Sequence, residues 1–305
     1  MRTTLLLGVL LAGCGVSNAE LNDVGDDLSA AQGELGSSVR SYVVVRHDQR
    51  RCASPMCGGF WAHDVNRASV SEQYVSGFDF SRSDLVMPED QADVTGAADF
   101  EVVIFGKLGP IDPQFHTRQF IVSSAWRGMP GVKFTEPADT IYRVENYNVQ
   151  CITAPCPSLR ASKLHSTSKI LHHDLDVTRA SLTQVDQNWL TFRATDRDAL
   201  VAGRFVDGAQ VGIGKEKVLD ASQVFVHLPD VTQSCPRYAV VHCPAGKVNI
   251  FTRNENRCVV PAGCGGGGAC RMSVPACAEN YSLISWTGGV FACTQYACDP
   301  TFLVE

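Results

Sequence analysis

The chain has 305 residues, of which 45% are hydrophobic and 19% charged, and its formal net charge at pH 7 is −6. This acidic balance, and the lack of lysine and arginine clusters, argue against a nucleic-acid-binding surface. The length is enough for two or three ordinary domains. Beyond the N-terminus, no apolar stretch approaches the roughly 20 residues that a membrane-spanning helix needs.

The N-terminus predicts an exported lipoprotein. Arg2 precedes the apolar run 5–11, which is too short to span a bilayer but is typical of a signal peptide. The run ends in Leu-Ala-Gly-Cys at 11–14, which resembles a bacterial lipobox; the alternative is an ordinary signal peptide that contains a cysteine. We expect a signal peptide over 1–13 and lipidation of Cys14, since two acyl chains already suffice for stable anchoring.

Residues 14–40 are predicted to form a flexible tether. They are small, polar and acidic, a composition that cannot bury enough apolar surface to become ordered. Gly15 follows the cysteine, in place of the aspartate that resembles an inner-membrane retention signal. The predicted location is therefore the bacterial cell envelope, at the outer membrane.

The cysteine count supports export. Of thirteen cysteines, Cys14 is assigned to the lipid, and the even number that remains is expected to form six disulfides in an oxidising compartment. The predicted disulfide cysteines are Cys52, Cys57, Cys151, Cys156, Cys235, Cys243, Cys258, Cys264, Cys270, Cys277, Cys293 and Cys298.

Comparison of the chain with itself reveals a duplication. Similar segments recur in the same order, namely "CASPMC" at 52–57 with "CITAPC" at 151–156, "FDFSRSDL" at 78–85 with "LDVTRASL" at 175–182, and Gly-Lys-Leu at 106–108 with Gly-Arg-Phe at 203–205. We predict two copies of one module, module 1 at 41–131 and module 2 at 139–230. Both contain short β-branched or alternating segments. The predicted fold is therefore mainly β, with each module a small antiparallel barrel or sandwich.

The C-terminal part, 231–305, repeats on a different pattern. Two cysteine-rich units, 235–264 and 270–298, have spacings C-x7-C-x14-C-x5-C and C-x6-C-x15-C-x4-C, and a "GGGG" linker separates them. Units of about thirty residues cannot make a sufficient apolar core, so disulfides are expected to stabilise them. Three pairings remain open within each unit.

Three kinds of chemistry are possible for the "CASPMC" and "CITAPC" loops. A redox couple would have two residues between the cysteines and lie at a helix start, whereas here four residues intervene between strand-like flanks. A zinc site would need four ligands, which the two pairs could supply, but oxidation during export disfavours it. A structural disulfide in each loop is the favoured interpretation.

A second candidate site is the sequence "HHDLD". If it is a strand, His172, Asp174 and Asp176 share one face, and one alternative is a metal site. Because Leu175 and Val177 are expected to face the core, we predict that the histidine and aspartates face solvent.

Other catalytic signals are lacking. There is no phosphate loop, Gly-x-Ser-x-Gly, His-Glu-x-x-His or calcium loop, and the sequence cannot assemble a triad from its serines, histidines and carboxylates. We therefore expect no catalysis, no cofactor and no metal. Several aromatic residues are candidates either for a peptide- or glycan-binding face or for core packing: Phe60, Trp61, Trp126, Trp189, Trp286 and Tyr296.

The segments "RRCASPMCGGFWAHDVNR", "VQCITAPCPSLRASKL" and "AWRG", behind a lipobox, resemble an uncharacterised family of myxobacterial secreted and lipid-anchored proteins. The likeness covers 41–230, and "PACAENYSLISW" with "FACTQYACDP" resembles a cysteine-rich tail that accompanies such proteins. The family implies no activity for any residue. The C-terminal units also resemble antistasin-type inhibitor units, which have six cysteines where these have four.

The expected function is that of a lipid-anchored extracytoplasmic protein with a binding or envelope-structural role and no catalysis. Its predicted partners are the membrane, through the lipid, and a protein or glycan, but no nucleic acid. One alternative is a protease inhibitor that uses the C-terminal units, and another is a metal-binding β protein.

Overall fold

The structure is a computed structural model. The predicted signal peptide, and all of the predicted tether except its last two residues, lie outside the described part of the chain. That part is 39–303 without 133, 135–138, 150, 153, 183–186, 197–198, 213, 231–234, 240, 255 and 271–272. None of the described helices is long and apolar enough to cross a membrane.

Module 1 is built mainly from strands. Its first strand is the β-branched run "SYVVVRH", a composition that favours extended backbone. The elements are β1 (Ser41–His47), β2 (Phe60–Asp64), β3 (Gln73–Val75), β4 (Phe78–Asp79), helix α1 (Pro88–Thr95), β5 (Val102–Leu108) and β6 (Phe120–Gly128). The predicted hairpin around the "CASPMC" loop is present, since β1 and β2 pair antiparallel.

Module 2 repeats this order of elements. They are β7 (Thr140–Asn146), β8 (Leu159–Lys163), β9 (Lys169–His172), β10 (Asp174–Asp176), helix α2 (Gln187–Thr195), β11 (Ala199–Val211) and β12 (Gly214–Leu228). The fourth strand of each module makes the same parallel pairing: β4 pairs with β6, and β10 with β12. The two modules thus have one topology.

The modules join in a single twelve-stranded sheet. Ten of its strands follow the order β3-β2-β1-β5-β6-β12-β11-β7-β8-β9, and β4 and β10 pair with β6 and β12 outside this path, so the second half of the sheet mirrors the first. The modules meet at β6 and β12, which pair antiparallel with Trp126 opposite His227. The prediction of a mainly β fold is confirmed, and the two copies are halves of one sheet.

Successive residues of the central strands face different cores. In β1, Val43 and Val45 pack in the core of module 1, whereas Val44 faces a core that both modules share. In β12, Val224 packs in the core of module 2 and Phe225 in the shared core. The buried residues of this shared core are Val44, Val65, Val103, Trp126, Ile141, Leu164, Leu200, Ala202 and Phe225. Strands buried on both faces read as continuous apolar runs, as "SYVVV" does.

Two reciprocal contacts hold the β1–β2 hairpin against the β7–β8 hairpin. The Asn66 side chain donates to the Ile141 carbonyl at 2.8 Å and accepts from the Ile141 amide at 2.9 Å. In the other direction, Nε2 of His165 lies 3.1 Å from both the amide and the carbonyl of Tyr42. Asn66 and His165 are equivalent turn residues, each with a left-handed φ of 60°. Because β1 and β7 lie far apart in the strand order, these contacts require the sheet to curve back on itself.

The matched glycines of the two modules lie at equivalent irregularities. The pairing register shifts at Gly106 in module 1 and at Gly203 in module 2. A Cβ at Gly106 would come 2.2 Å from the Ile121 carbonyl oxygen, and one at Gly203 would come 2.5 Å from that of Asp220. Only glycine permits such a close backbone approach.

The two cysteine-rich units form one small sheet. Each unit is a hairpin, made of β13 (Val248–Arg253) with β14 (Val259–Gly265), and of β15 (Tyr281–Gly288) with β16 (Cys293–Pro300), and the order is β14-β13-β15-β16. A short 3-10 helix, Thr301–Leu303, follows.

The predicted "GGGG" linker packs against the second hairpin. The Gly266 amide donates to the Val290 carbonyl at 3.1 Å, and a Cβ at Gly268 would meet the Phe291 ring at 2.1 Å.

Six disulfides are present, as expected from the cysteine count. Each "C-x4-C" loop is closed on itself, Cys52 to Cys57 and Cys151 to Cys156. The C-terminal units share one pattern, in which the first cysteine pairs with the third and the second with the fourth: Cys235–Cys258 and Cys243–Cys264, then Cys270–Cys293 and Cys277–Cys298. Of the three pairings open in each unit, both units therefore adopt the same one.

The small sheet packs against the modules. Tyr281, Cys298 and Leu303 belong to the core of module 2, and Phe302 packs against the cores of both modules. The Tyr281 hydroxyl donates to the Pro130 carbonyl at 2.9 Å. The C-terminal part is therefore a packed element of the fold.

A buried ionic network completes this contact. Asp230 lies 2.9 Å from Arg193 of α2 and 3.3 Å from Arg257, while Asp299 of β16 pairs with Arg253 and lies 3.5 Å from Arg257. All five side chains are nearly inaccessible to solvent. Removing one partner from such a network is strongly destabilising, because it leaves a buried charge without compensation. The network therefore fixes how the small sheet sits on module 2.

Candidate functional site

The "CASPMC" loop is anchored on one buried carboxylate. The Asp48 side chain is 1% exposed, and it accepts hydrogen bonds from Arg50, from the Gly58 amide at 3.3 Å and from the Trp61 indole at 3.3 Å. Hydrogen bonds from Arg50, more than any other interaction, lower the pKa of Asp48 to about 2. Asp48 is therefore ionised at neutral pH and holds both ends of the disulfide loop.

Arg50 contacts two aromatic rings. Its guanidinium carbon lies 4.9 Å from the ring centroid of Trp61 and 4.9 Å from that of Tyr74, while about half of the side chain stays exposed to solvent. The two rings meet edge to face at 5.6 Å, and the Tyr74 hydroxyl donates to the Pro55 carbonyl at 2.9 Å. We call Asp48, Trp61 and Tyr74 the cage. It draws on the connection after β1, on β2 and on β3.

Module 2 has no cage at the equivalent position. The strand registers place Arg160 where module 1 has Trp61, and Leu171 where it has Tyr74. Arg160 pairs with Glu145 and lies over the ring of Tyr147 at 5.3 Å. Ile152 is fully exposed at the tip of the "CITAPC" loop. Both modules thus keep the disulfide loop, but only module 1 builds a cage beside it.

Module 2 has instead an open cavity of about 400 Å³. It lies between β10, α2 and the β11–β12 hairpin. Its lining combines carboxylates with amides and hydroxyls over an apolar floor: Asp174, Asp176, Glu216, Gln187, Asn188, Thr178, Thr191, Leu175, Val177, Val218 and Ala209. No basic side chain is among these residues. Such a lining favours a ligand that carries ammonium or hydroxyl groups.

The "HHDLD" segment is only partly as predicted. Asp174 and Asp176 are exposed and Leu175 and Val177 lie in the core, as expected, but His172 is fully buried. The reason is a bend at residue 173 between β9 and β10, which interrupts the alternation of faces.

The acidic lining of the cavity is specific to module 2. Asp176 accepts from the Thr178 amide at 2.9 Å, just as Asp79 accepts from the Ser81 amide at 2.9 Å in module 1. This turn is therefore common to both modules, and the hydrogen bonds from Thr178 lower the pKa of Asp176. The aligned position for Asp174 is a glycine in module 1. The sequence singled out the aspartates but missed Glu216, which reaches the cavity from a different hairpin.

A serine, a histidine and an aspartate meet where β1 approaches β7. Ser41 donates to the Asp64 carboxylate, and its Oγ lies 3.4 Å from Nε2 of His165. In a catalytic triad the carboxylate binds the imidazole, and the serine faces the opposite nitrogen. Here the carboxylate binds the buried serine and Nε2 faces the backbone of Tyr42, so the three residues form a contact between modules.

The aromatic candidates divide between core and surface. Trp126 and Trp189 are buried, which agrees with core packing. Phe60, Trp61, Trp286 and Tyr296 are partly exposed. Within the described residues, no group of three or more histidines, cysteines, aspartates and glutamates could hold a metal ion.

The fold and the bonded cysteines define a disulfide-rich, mainly β protein with a duplicated module. The chain belongs to the family of the domain of unknown function DUF6748, which matches residues 41–230. It is also similar to an uncharacterized protein of Dictyostelium discoideum, with 24% identity over 279 residues that cover 88% of this chain and 91% of that protein. No solved structure matches.

The match agrees with the expected membership of an uncharacterised family, while myxobacterial origin and lipid anchoring stay predictions. Six disulfides in one chain are typical of extracellular or secreted proteins.

His172 predicts a pH-dependent stability. Its ring packs against Phe205 at 5.4 Å, and burial lowers its pKa to about 4, against about 6.5 in an unfolded chain. Between these two pH values the unfolded state binds more protons than the folded state. The contribution of His172 is thus present above pH 6.5 and is lost as the pH falls towards 4, with a total of about 3 kcal/mol. Burial also lowers the pKa of His165, so its contribution to stability is likewise lost as the pH falls.

We expect His172→Phe to reduce the loss of unfolding free energy between pH 7 and about pH 4.5 by about 2 kcal/mol, measured by chemical denaturation. His116→Asn removes an exposed imidazole and is the control, because it should leave that loss unchanged. An equal pH dependence of the wild type and His172→Phe would contradict the prediction.

Proposed function

We propose that the protein is a lipid-anchored, extracytoplasmic protein of the bacterial envelope with a binding or structural role and no catalytic step. One observation carries the proposal: six disulfides use twelve of the thirteen cysteines. The thirteenth is Cys14, the cysteine of the lipobox-like sequence. A chain in which all other cysteines form disulfides is suited to an oxidising compartment. A lipid on Cys14 would hold the chain at the membrane in such a compartment.

The binding role is assigned to the cavity of module 2. Carboxylates, amides and hydroxyls are the groups that hydrogen-bond sugar hydroxyls, and the three carboxylates without a basic side chain among the lining residues attract ammonium groups. A glycan that carries free amines satisfies both requirements. The duplicated sheet and the disulfides supply a rigid frame, which lowers the entropic cost of binding.

A second candidate, a protease inhibitor, is favoured by the turn of the second C-terminal hairpin. Val290 and Phe291 are exposed apolar residues at its tip, and the Cys270–Cys293 disulfide closes it. An exposed turn next to a disulfide is a form in which inhibitors present a loop to a protease. If this candidate is right, the protein inhibits a protease with aromatic specificity, and Phe291→Ala abolishes the inhibition.

The anchoring is tested by intact mass and phase partition of the full chain expressed in a bacterium that processes lipoproteins. We expect a mature chain that begins at Cys14, carries lipid, contains no free thiol and enters the detergent phase. Cys14→Ser should remain in the aqueous phase with the same six disulfides. A wild-type chain with a free, unlipidated Cys14 would contradict the anchoring.

The cavity is tested with a glucosamine oligomer as probe, with its N-acetylated form for comparison. We expect the wild type to bind the amine form more tightly, and the double variant Asp174→Asn with Glu216→Gln to lose at least about tenfold in affinity, which corresponds to about 1.4 kcal/mol. Asp207→Asn is the matched control, since it removes an exposed carboxylate of the β11–β12 hairpin that pairs with Lys215. Equal affinities of the double variant and the wild type would overturn the assignment.

A further inference from the structure

We infer that the cage of module 1 is a binding site for a guanidinium group, that Arg50 of the same chain fills it, and that an arginine side chain of a partner polypeptide can take the place of Arg50. The site is separate from the cavity of module 2. Its test does not depend on anchoring or on glycan binding.

The contacts of Arg50 are those of a bound ligand. Nε lies 2.9 Å from Oδ1 and 3.0 Å from Oδ2 of Asp48, and Nη2 donates to the Met56 carbonyl at 3.2 Å. The rings of Trp61 and Tyr74 both contact the guanidinium. A carboxylate, a carbonyl and two aromatic rings therefore contact one planar cation, whose remaining surface faces solvent.

This chemistry selects guanidinium over other cations. A quaternary ammonium has no N–H to donate to Asp48 or to the Met56 carbonyl, although it can contact aromatic rings. A lysine ammonium is a compact, strongly hydrated charge, whereas a guanidinium is planar, stacks on aromatic faces and can engage a carboxylate at two atoms. An arginine side chain fits every group of the cage.

The occupant is more accessible than its receptor. The Arg50 side chain is 51% exposed and lies on the connection between β1 and β2, whereas that of Asp48 is 1% exposed. The carboxylate is also held by groups other than Arg50, namely the Gly58 amide and the Trp61 indole. Asp48 therefore keeps bonding partners and its orientation when Arg50 leaves, and a competing cation can replace it.

The duplication shows that the fold does not require the cage. In module 2 the position aligned with Asp48 is Tyr147, and that aligned with Arg50 is Val149. The Cys151–Cys156 disulfide forms there without a cage. The residues around Arg50 thus exceed what is needed to close a disulfide loop, which favours a recognition role.

The test compares two peptides, acetyl-Gly-Arg-Gly-amide and its lysine counterpart, on the full disulfide-bonded chain. Binding is followed by NMR of the Trp61 indole and by calorimetry. Removal of the internal competitor in Arg50→Ala should tighten binding of the arginine peptide at least about tenfold, since a tethered group competes at a millimolar effective concentration. The lysine peptide should bind at least about tenfold more weakly.

Two further variants complete the design. Adding Asp48→Asn to Arg50→Ala should abolish the gain, whereas adding Arg160→Ala in module 2 should leave it unchanged. Arg50→Lys keeps a cation and a long stem in the site, so it is the second variant if Arg50→Ala does not fold, and it should also bind the arginine peptide more tightly than the wild type. Arginine-peptide affinities equal to wild type in both Arg50 variants, or no preference over lysine, would overturn the proposal.

Discussion

The structure depends on strands that are buried on both faces. In β1, alternate valines face the core of module 1 and a core that module 2 shares, and the same alternation recurs in β12, where Phe225 enters the shared core. A one-residue slip in any of these strands would move every buried side chain into the other core, so the close packing of both cores constrains the pairing register. The duplicated modules are consequently tied together by burial as well as by the β6–β12 pairing.

The candidate sites lie outside the doubly buried segments of these strands. Both disulfide loops project from the β1–β2 and β7–β8 hairpins, and the open cavity lies beside β10, which pairs with β12 outside the main strand order. Because the sheet fixes the ends of each loop, the loops can differ in side chains without a change of fold. Module 1 has accordingly a cage around Arg50, and module 2 a lining with Asp174 and Glu216. The C-terminal sheet adds a buried ionic contact at Asp230, and its 3-10 helix packs against the cores of both modules.

The sequence predicts the local elements well and their assembly poorly. The paired cysteine loops and the matched glycines Gly106 and Gly203 reveal the duplication. Each disulfide needs both of its cysteines, and at each glycine a side chain would clash with the neighbouring strand. No residue pattern in the sequence predicts the pairing of β6 with β12, because the backbone hydrogen bonds at a strand edge can form with any other strand. His172 was wrongly expected at the surface, because a bend breaks the period-two pattern. The site around Arg50 could not be predicted from the sequence, because Asp48, Trp61 and Tyr74 come together only when β1, β2 and β3 pair.

The central claim is that both modules depend on one shared core, and native-state hydrogen exchange of Phe225→Ala tests it most directly. Phe225 belongs to module 2 and is fully buried, so its truncation should cost about 3–5 kcal/mol. We expect an equal loss of protection in the most stable amides of β1 and β5 in module 1 and of β7 and β11 in module 2. Loss confined to module 2, with β1 and β5 protected as in the wild type, would contradict it.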